Sequence, residues 1–585
     1  MTETLERGTA PALVELTSSQ ALVRVLRASG VFDYYGVVGA MLGGILKEVA
    51  LDPDLHYIGM RHEAAGGFAA AGQFAGTGRL AVCLAEMGPG SANLLSSMGN
   101  ARNNNLALLA ITTSPNREHA YPFHGMFMDW RGRDGFQPYV KFSEQINDPA
   151  RVPELVRAAL REALTGRPGP VHLDLPADLA MGGVATFDAA ELDAPLDSYV
   201  PTQRVPAGAD SVARAVQLLA GAERPLLIAG GGVLRSEAAA EFRGVAQELG
   251  AVATATQMGL GAVDSSDPGF IGHGGVIGGA AVVRAMAEAD VVLAVGCRWS
   301  SWMWDHGEPA VVGAQHVIQV DIDPTMLGRR MATSVPIHGD AKTVLAQMRE
   351  ALSLLPADAR LDESWRDSLV REYRAHRAHC DALAAQDVEP MHPARVGKEV
   401  GEWAPDDALV VYDGGHTTFW SNEFTPAVLP RTRFHDPGMA HLGFGLPWAL
   451  ALKHSHPERT VVNITGDGAF GFTLQELDTA RRYGLNVITV LHDNAEFGVI
   501  RTGQQAHGFV LGAALEETDY VAIAQAFGCH AERVRRPEDI RPALERAVAS
   551  GRPAVIDVET FFEPHPSMGD FRAAQLPRRR PGTAD

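Results

Sequence analysis

The chain has 585 residues, 46% hydrophobic and 21% charged, with a formal net charge of −20 at pH 7. This is the composition of a soluble globular protein with room for roughly three or four domains. The acidic balance excludes a non-specific nucleic-acid or anionic-membrane binder, because phosphate surfaces recruit basic faces, so small molecules are the expected partners.

The amino terminus, MTETLERGTAPALVELTSSQ, lacks the basic and apolar regions of a secretory leader, and no apolar stretch approaches the ~20 residues that span a bilayer. A cytoplasmic protein is expected. Cys83, Cys297, Cys380 and Cys529 stand far apart with no CxxC or His-rich spacing, which fits a reducing compartment and offers no zinc site. Apolar runs of strand length alternate with amphipathic helical segments along the chain, the pattern of an α/β protein built from doubly wound parallel sheets. Two acidic, proline-containing stretches, 183–206 and 356–392, interrupt it and read as linkers. The expected units are 12–182, 205–355 and 390–565, followed by a solvated tail, 566–585, that includes Arg578 to Arg580.

The outer units end alike. PELVRAALREALTGRPGPVHLDLP (Pro153 to Pro176) echoes PEDIRPALERAVASGRPAVIDVET (Pro537 to Thr560), each a helix, a Gly-Arg-Pro turn and a buried strand, which points to a shared architecture. The middle unit has its own strands in PLLIAGGGV, DVVLAVGCRW and HVIQVDIDP. Its Gly230-Gly231-Gly232 turn resembles a nucleotide loop only weakly and fits a purely structural turn better.

The most informative stretch is ITGDGAFGFTLQELDTARRYGLNVITVLHDNAEFG (Ile464 to Gly498). Val461 to Thr465 reads as a buried strand, Thr473 to Tyr483 as a helix and Val487 to Asp493 as the next strand. One β-α-β crossover places both strand ends at the same sheet edge, so Asp467 and Asn494, 27 residues apart, come together. A carboxylate and a carboxamide are hard oxygen ligands suited to Mg²⁺. Gly466 and Gly468 allow a tight turn, and the amides leading onward through Ala469 can receive phosphate.

This stretch resembles the diphosphate-binding motif of thiamine-diphosphate enzymes, with Asp493-Asn494 in place of the usual Asn-Asn. The resemblance implies Mg²⁺ held by Asp467, the Asn494 side chain and the backbone carbonyl of Glu496. RHEAAGGFAAAGQFAGTGRLAV (Arg61 to Val82) looks like the family's catalytic-glutamate helix, which implies that Glu63 bonds N1′ of the aminopyrimidine and promotes loss of the thiazolium C2 proton. MAHLGFGLPWALAL (Met439 to Leu452) is similar to the family segment that wedges the cofactor, with Leu442 as the wedge. DGGHTTFW (Asp413 to Trp420) implies diphosphate contacts from His416 and Thr417. MGPGSANLL (Met87 to Leu95) matches a turn near the active centre, with Gly88 at its bend. The resemblance covers nearly the whole chain and is closest to acetohydroxyacid synthase-like members. It implies at least a homodimer, paired through the Ala- and Gly-rich face after Glu63, acting on a small 2-oxo acid.

The match also has gaps. NAEFGVIRTGQQ puts Gly503 where acetohydroxyacid synthases carry an acceptor-selecting tryptophan, which implies a roomier or different substrate pocket. Ala40 stands where pyruvate decarboxylase-type enzymes carry an active-site aspartate, so capture of the enamine by a second carbonyl compound is favoured over release of aldehyde. In YPFHGMFMDWRGRDGFQPYVKFS, His124 is a candidate substrate residue, and Lys141 aligns with a family lysine. The expected function is decarboxylation of a 2-oxo acid and transfer of the resulting enamine to an acceptor carbonyl. The rivals are a 2-hydroxyacyl-CoA or oxalyl-CoA type C–C lyase, a simple 2-oxo acid decarboxylase, and a catalytically silent cofactor-binding subunit. FAD in the central unit is left open by the sequence.

Overall fold

The computed structural model describes residues 12–119, 125–275, 278–300, 303, 314, 316–355 and 361–567. The chain divides into two compact units, Met1–Thr202 and Gln203–Asp585.

In the amino-terminal unit, β1 (Leu13–Thr17) precedes six parallel strands: β2 (Asp33–Gly36), β3 (His56–Gly59), β4 (Val82–Ala85), β5 (Leu109–Ser114), β6 (Ser143–Gln145) and β7 (Val171–Pro176). They pair in the order β3-β2-β4-β5-β7-β6. The inner strands are buried along their whole length, as helices on both faces of a parallel sheet require. The helix Glu63–Thr77 is rich in Ala and Gly, and so approaches the helix Pro89–Asn104 closely: a Cβ on Gly67 would lie 2.0 Å from Ser97 Oγ. That small-residue face is thus already packed within its own unit.

The second unit carries two further six-stranded parallel sheets. Strands β9 (Pro225–Ala229), β10 (Val252–Ala255), β11 (Phe270–His273), β12 (Val291–Val295), β13 (His316–Asp321) and β14 (Val335–His338) run in the order β11-β10-β9-β12-β13-β14. Relative to the chain this is 3-2-1-4-5-6, the doubly wound dinucleotide-fold order. Strands β15 (Leu409–Tyr412), β16 (Arg433–His435), β17 (Val461–Gly466), β18 (Ile488–Asp493), β19 (His530–Val534) and β20 (Ala554–Glu559) run β16-β15-β17-β18-β20-β19. The first and last sheets therefore share one order, 2-1-3-4-6-5. The repeated helix–turn–strand segments end in β7 and β20, each inserted between the fourth and fifth strands of its sheet. The internal echo in the sequence corresponds to this common topology.

Two stretches expected as linkers are structured. Within 183–206, β8 (Val184–Asp188) pairs antiparallel with β1, closing the unit's beginning onto its end. Within 356–392, Glu363–Ala384 is a 22-residue helix. Its acidic opening supplies the cap, with Asp362 Oδ1 accepting from the Trp365 amide at 3.0 Å. Trp365 and Leu369 enter the core on one face of the central sheet, and Arg284 of the helix Ala280–Glu288 bonds Glu372 at 2.6 Å. The acid-rich composition belongs to this helix's exposed side. The segment expected as one helix from Thr473 to Tyr483 is instead a 3₁₀ turn, Leu474–Glu476, leading into Leu477–Arg482. Among the described residues no helix is long and apolar enough to cross a membrane.

Leu369 is 0% exposed, so Leu369→Ala is expected to cost roughly 2–5 kcal/mol, read as a lower urea midpoint by far-ultraviolet circular dichroism. Leu354→Ala, at an 81% exposed position, should leave the midpoint unchanged. Equal midpoints for the two variants would return the segment to linker status.

Candidate active site

Parallel pairing sends the loops after β15, β16, β17 and β18 out of one sheet edge, and between them lies a cavity of about 330 Å³. The chain leaves β15 for β16 on one side and crosses to β17 on the other, so the crevice between β15 and β17 is a topological switch point, where ligands of open α/β sheets bind. Leu442, His416, Thr417, Gly466, Asp467, Gly468, Ala469, Asn494 and Glu496 all line this cavity.

The crossover juxtaposes the two expected metal residues. Asp467, 3% exposed, accepts from the Gly468 amide at 2.7 Å and from the Asn494 amide at 3.3 Å. Burial, reinforced by the nearby charge of Asp493, pushes the Asp467 carboxyl above the ordinary carboxylate range, against the backbone donors that oppose the rise. A divalent cation would favour the charged carboxylate against both influences, and the donors, carboxylate and carboxamide, suit Mg²⁺. Two backbone bonds flank Glu496: Leu515 N donates to the Ala495 carbonyl at 2.7 Å, and Phe497 N to the Ala513 carbonyl at 2.8 Å. The Glu496 side chain pairs with Arg501. Gly468 is demanded by close approach, since a Cβ there would meet the Phe497 ring at 2.7 Å. Thr417 lies against Gly466, its Oγ1 3.0 Å from where a Cβ would stand.

Leu442 owes its position to anchors that sequence reasoning missed. The buried Asp413 carboxylate accepts from the Gly443 and Gly445 amides at 3.0 and 2.9 Å. Asp436 accepts from the Met439 and His441 amides at 3.0 and 2.9 Å. Thr473 Oγ1 donates to the Gly443 carbonyl at 2.7 Å. An aspartate directly after a buried strand, as in VVYD and RFHD, was the available signal.

In the amino-terminal unit, Glu63 opens its helix behind the N-cap His62, whose Nδ1 accepts from the Ala64 amide at 3.2 Å. Asn93 donates to Glu63 Oε2 at 3.0 Å. Gly88 is the N-cap of the helix Pro89–Asn104, and its next residue but one, Gly90, has its Cβ position 3.1 Å from Glu63 Oε1. A second carboxyl belongs to this neighbourhood. Glu86 accepts from the Met41 amide at 3.1 Å, and burial raises its pKa despite that bond. Ala40 itself carries no acid, yet Glu86 brings one to the same loop from another strand end.

His124 lies outside the described residues. Lys141 donates to the Thr165 and Arg167 carbonyls, both at 3.0 Å, capping the end of the helix Val152–Leu164, which speaks for a structural role. Gly503 lies in the helix Gly498–Ala506, one turn beyond the cavity-lining Val499 on the same face. In the central sheet, Gly230 packs so tightly that a Cβ would lie 2.1 Å from the Gly296 carbonyl oxygen, so close backbone approach explains the glycine turn.

A doubly wound sheet with a cavity and hard-oxygen donors at its switch point is the arrangement of a cofactor-binding α/β enzyme. Residues 16–143, 212–348 and 413–558 match, in turn, the thiamine pyrophosphate enzyme N-terminal TPP binding domain, central domain and C-terminal TPP binding domain. The chain is 31% identical over 559 residues to a probable acetolactate synthase large subunit of Methanocaldococcus jannaschii, covering 93% of this chain and 92% of that one. An acetolactate synthase of Arthrospira platensis is 30% identical over 577 residues, covering 94% of each chain. The acetolactate synthase large subunit of Corynebacterium glutamicum is 29% identical over 573 residues, 94% of this chain and 88% of that one. The chain belongs to the thiamine pyrophosphate (thiamine diphosphate) enzymes and is acetolactate synthase-like, an enzyme of the carboligase and decarboxylase class.

Burial, and then the charge of Asp436, hold the Asp413 carboxyl up at about 7 against its backbone donors. Because this lies above the unfolded value near 4, stability falls as pH rises from about 4 to about 7 and levels off above. Asp413→Asn removes that dependence, so its unfolding midpoint should gain on the wild type between pH 5 and pH 8. A difference that is constant with pH would refute the assignment.

Proposed function

We propose that this enzyme decarboxylates a 2-oxo acid and joins the resulting fragment to an acceptor carbonyl, using Mg²⁺ and thiamine diphosphate in a substrate pocket altered from that of acetolactate synthases. The observation that carries the reading is the meeting of Asp467 with Asn494 in a switch-point cavity faced by Leu442. When bound, thiamine diphosphate supplies an electron sink for the pair left as CO₂ departs. Asp467, Asn494 and the Glu496 carbonyl hold the metal. The turn Gly466–Ala469, with His416 and Thr417, receives the diphosphate, and Leu442 supports the cofactor rings. Glu63, beside the Gly88 turn, holds a proton at N1′ of the aminopyrimidine. The units 12–182, 205–355 and 390–565 are read as pyrimidine-binding, central and diphosphate-binding domains. At least a homodimer is inferred from the family alone, since the small-residue face of the Glu63 helix is packed within its own unit.

The expected outcome for Glu63→Gln is retained cofactor with C2 hydrogen exchange slowed by about 10²–10⁴-fold, followed by proton NMR in D₂O. Asp467→Ala should instead lose Mg²⁺-dependent cofactor binding by calorimetry. Exchange at the wild-type rate in Glu63→Gln would sink the assignment.

One observation favours a second reading, decarboxylation with release of free aldehyde. The Glu86 carboxyl stands on the Met41 amide, and burial shifts it towards its protonated form, so a carboxyl stands beside the position where Ala40 offers none. On a panel of 2-oxo acids with and without aldehyde acceptors, Glu86→Gln should shift products from aldehyde towards ligated compound. An unchanged product ratio excludes Glu86 as the proton source.

A further inference from the structure

Away from the cavity, four side chains from three segments of the second unit converge. His376 and Cys380 lie four apart on the helix Glu363–Ala384 and share a face. Glu423 sits near the end of the helix His416–Phe424, and His565 follows β20. One ligand atom from each lies within 4.8 Å of the other three. We infer that His376, Cys380, Glu423 and His565 form a four-coordinate zinc site, which fastens the end of the described chain to these two helices.

The separations carry the argument. His376 Nε2 is 3.4 Å from Glu423 Oε2 and 3.6 Å from Cys380 Sγ, and His565 Nε2 is 3.8 Å from the same Glu423 oxygen. The two nitrogen–oxygen distances exceed ordinary hydrogen bonds. Zinc–ligand lengths of about 2.0–2.3 Å place tetrahedral ligands roughly 3.3–3.7 Å apart, close to what is observed.

The surroundings aim the donors inward. His565, whose side chain is 1% exposed, leaves Nε2 without a hydrogen bond, facing the cluster. Its other nitrogen is held by Ser567, through Oγ at 2.8 Å and the amide at 3.3 Å. Arg377 takes Glu423 Oε1 at 2.8 Å and leaves Oε2 to the imidazoles. Such anchoring by outer partners orients metal ligands. A neutral imidazole is already a donor. The thiol must release one proton to solvent as the sulfur–zinc bond forms. A cavity of about 300 Å³ that His376, Arg377 and Glu423 line offers a path for the ion.

Two nitrogens, a sulfur and an oxygen match borderline zinc and not Mg²⁺ or Ca²⁺, and a site closed by four protein ligands is structural. Local cysteine spacing in the sequence carries no sign of this site. These ligands span residues 376 to 565, and only folding unites them.

The test uses the full-length protein purified without chelators. Elemental analysis should find about one zinc per chain, lost in both Cys380→Ser and His376→Gln. Replacing zinc with Co²⁺ in the wild type should give intense visible bands of a four-coordinate ion and a near-ultraviolet thiolate-to-cobalt absorption. The thiolate band should vanish in Cys380→Ser and persist in Cys529→Ser. Co²⁺ at Asp467 has oxygen ligands and cannot produce it, so this readout is independent of the cofactor site. Wild-type protein without zinc and without the thiolate band, or a band that survives Cys380→Ser, overturns the proposal.

Discussion

Parallel pairing of β15, β17 and β18 is the constraint on which the candidate site rests. Parallel strands must all leave the sheet at the same edge, and the order β16-β15-β17-β18 turns the chain in opposite directions on either side of one crevice. Residues from four separate loops are thereby delivered to a common space without any loop having to be long. The 27-residue step from Asp467 to Asn494 is the length of one crossover, and the 3.3 Å bond from the Asn494 amide to the Asp467 carboxylate closes it.

Buried carboxylates fix the loops at that edge. Asp413 and Asp436 each accept two backbone amides and fold the segment that carries Leu442. Asp467 accepts amides from the loops after β17 and β18. Burial makes the charges of Asp413 and Asp467 costly, and backbone donors offset the cost only in part. At Asp413 the imbalance is contained inside the fold. At Asp467 it faces a cavity, where a cation has room to resolve it.

Beyond the sheets, the second unit is tied together by the helix Glu363–Ala384. One part of it completes the central core through Trp365 and Leu369. Another part turns Arg377 and Asp381 towards Glu423 and Lys398 of the last domain. The proposed zinc ligands lie at this junction. Glu423 shares its helix with His416 and Thr417, which line the candidate cavity, so what holds one end of that helix bears on the other.

The sequence by itself determined what local periodicity and short crossovers encode. It gave the alternation of strands and helices, the shared ending of the outer units, and the pairing of Asp467 with Asn494, because one β-α-β unit carries both within a single topological step. It misread 356–392 as a linker because charge on an exposed helix face outweighs that helix's four buried positions in any compositional view. It read Cys380 as an isolated thiol, Ala40 as the loss of an acid and Lys141 as the match of a family lysine. Only the tertiary structure brought Glu86 to the Met41 amide, set Lys141 on the carbonyls of a helix end, and gathered His376, Cys380, Glu423 and His565. Those neighbours come from separate segments, up to 189 residues apart, and no local pattern records a contact that exists only once the sheets and helices have packed.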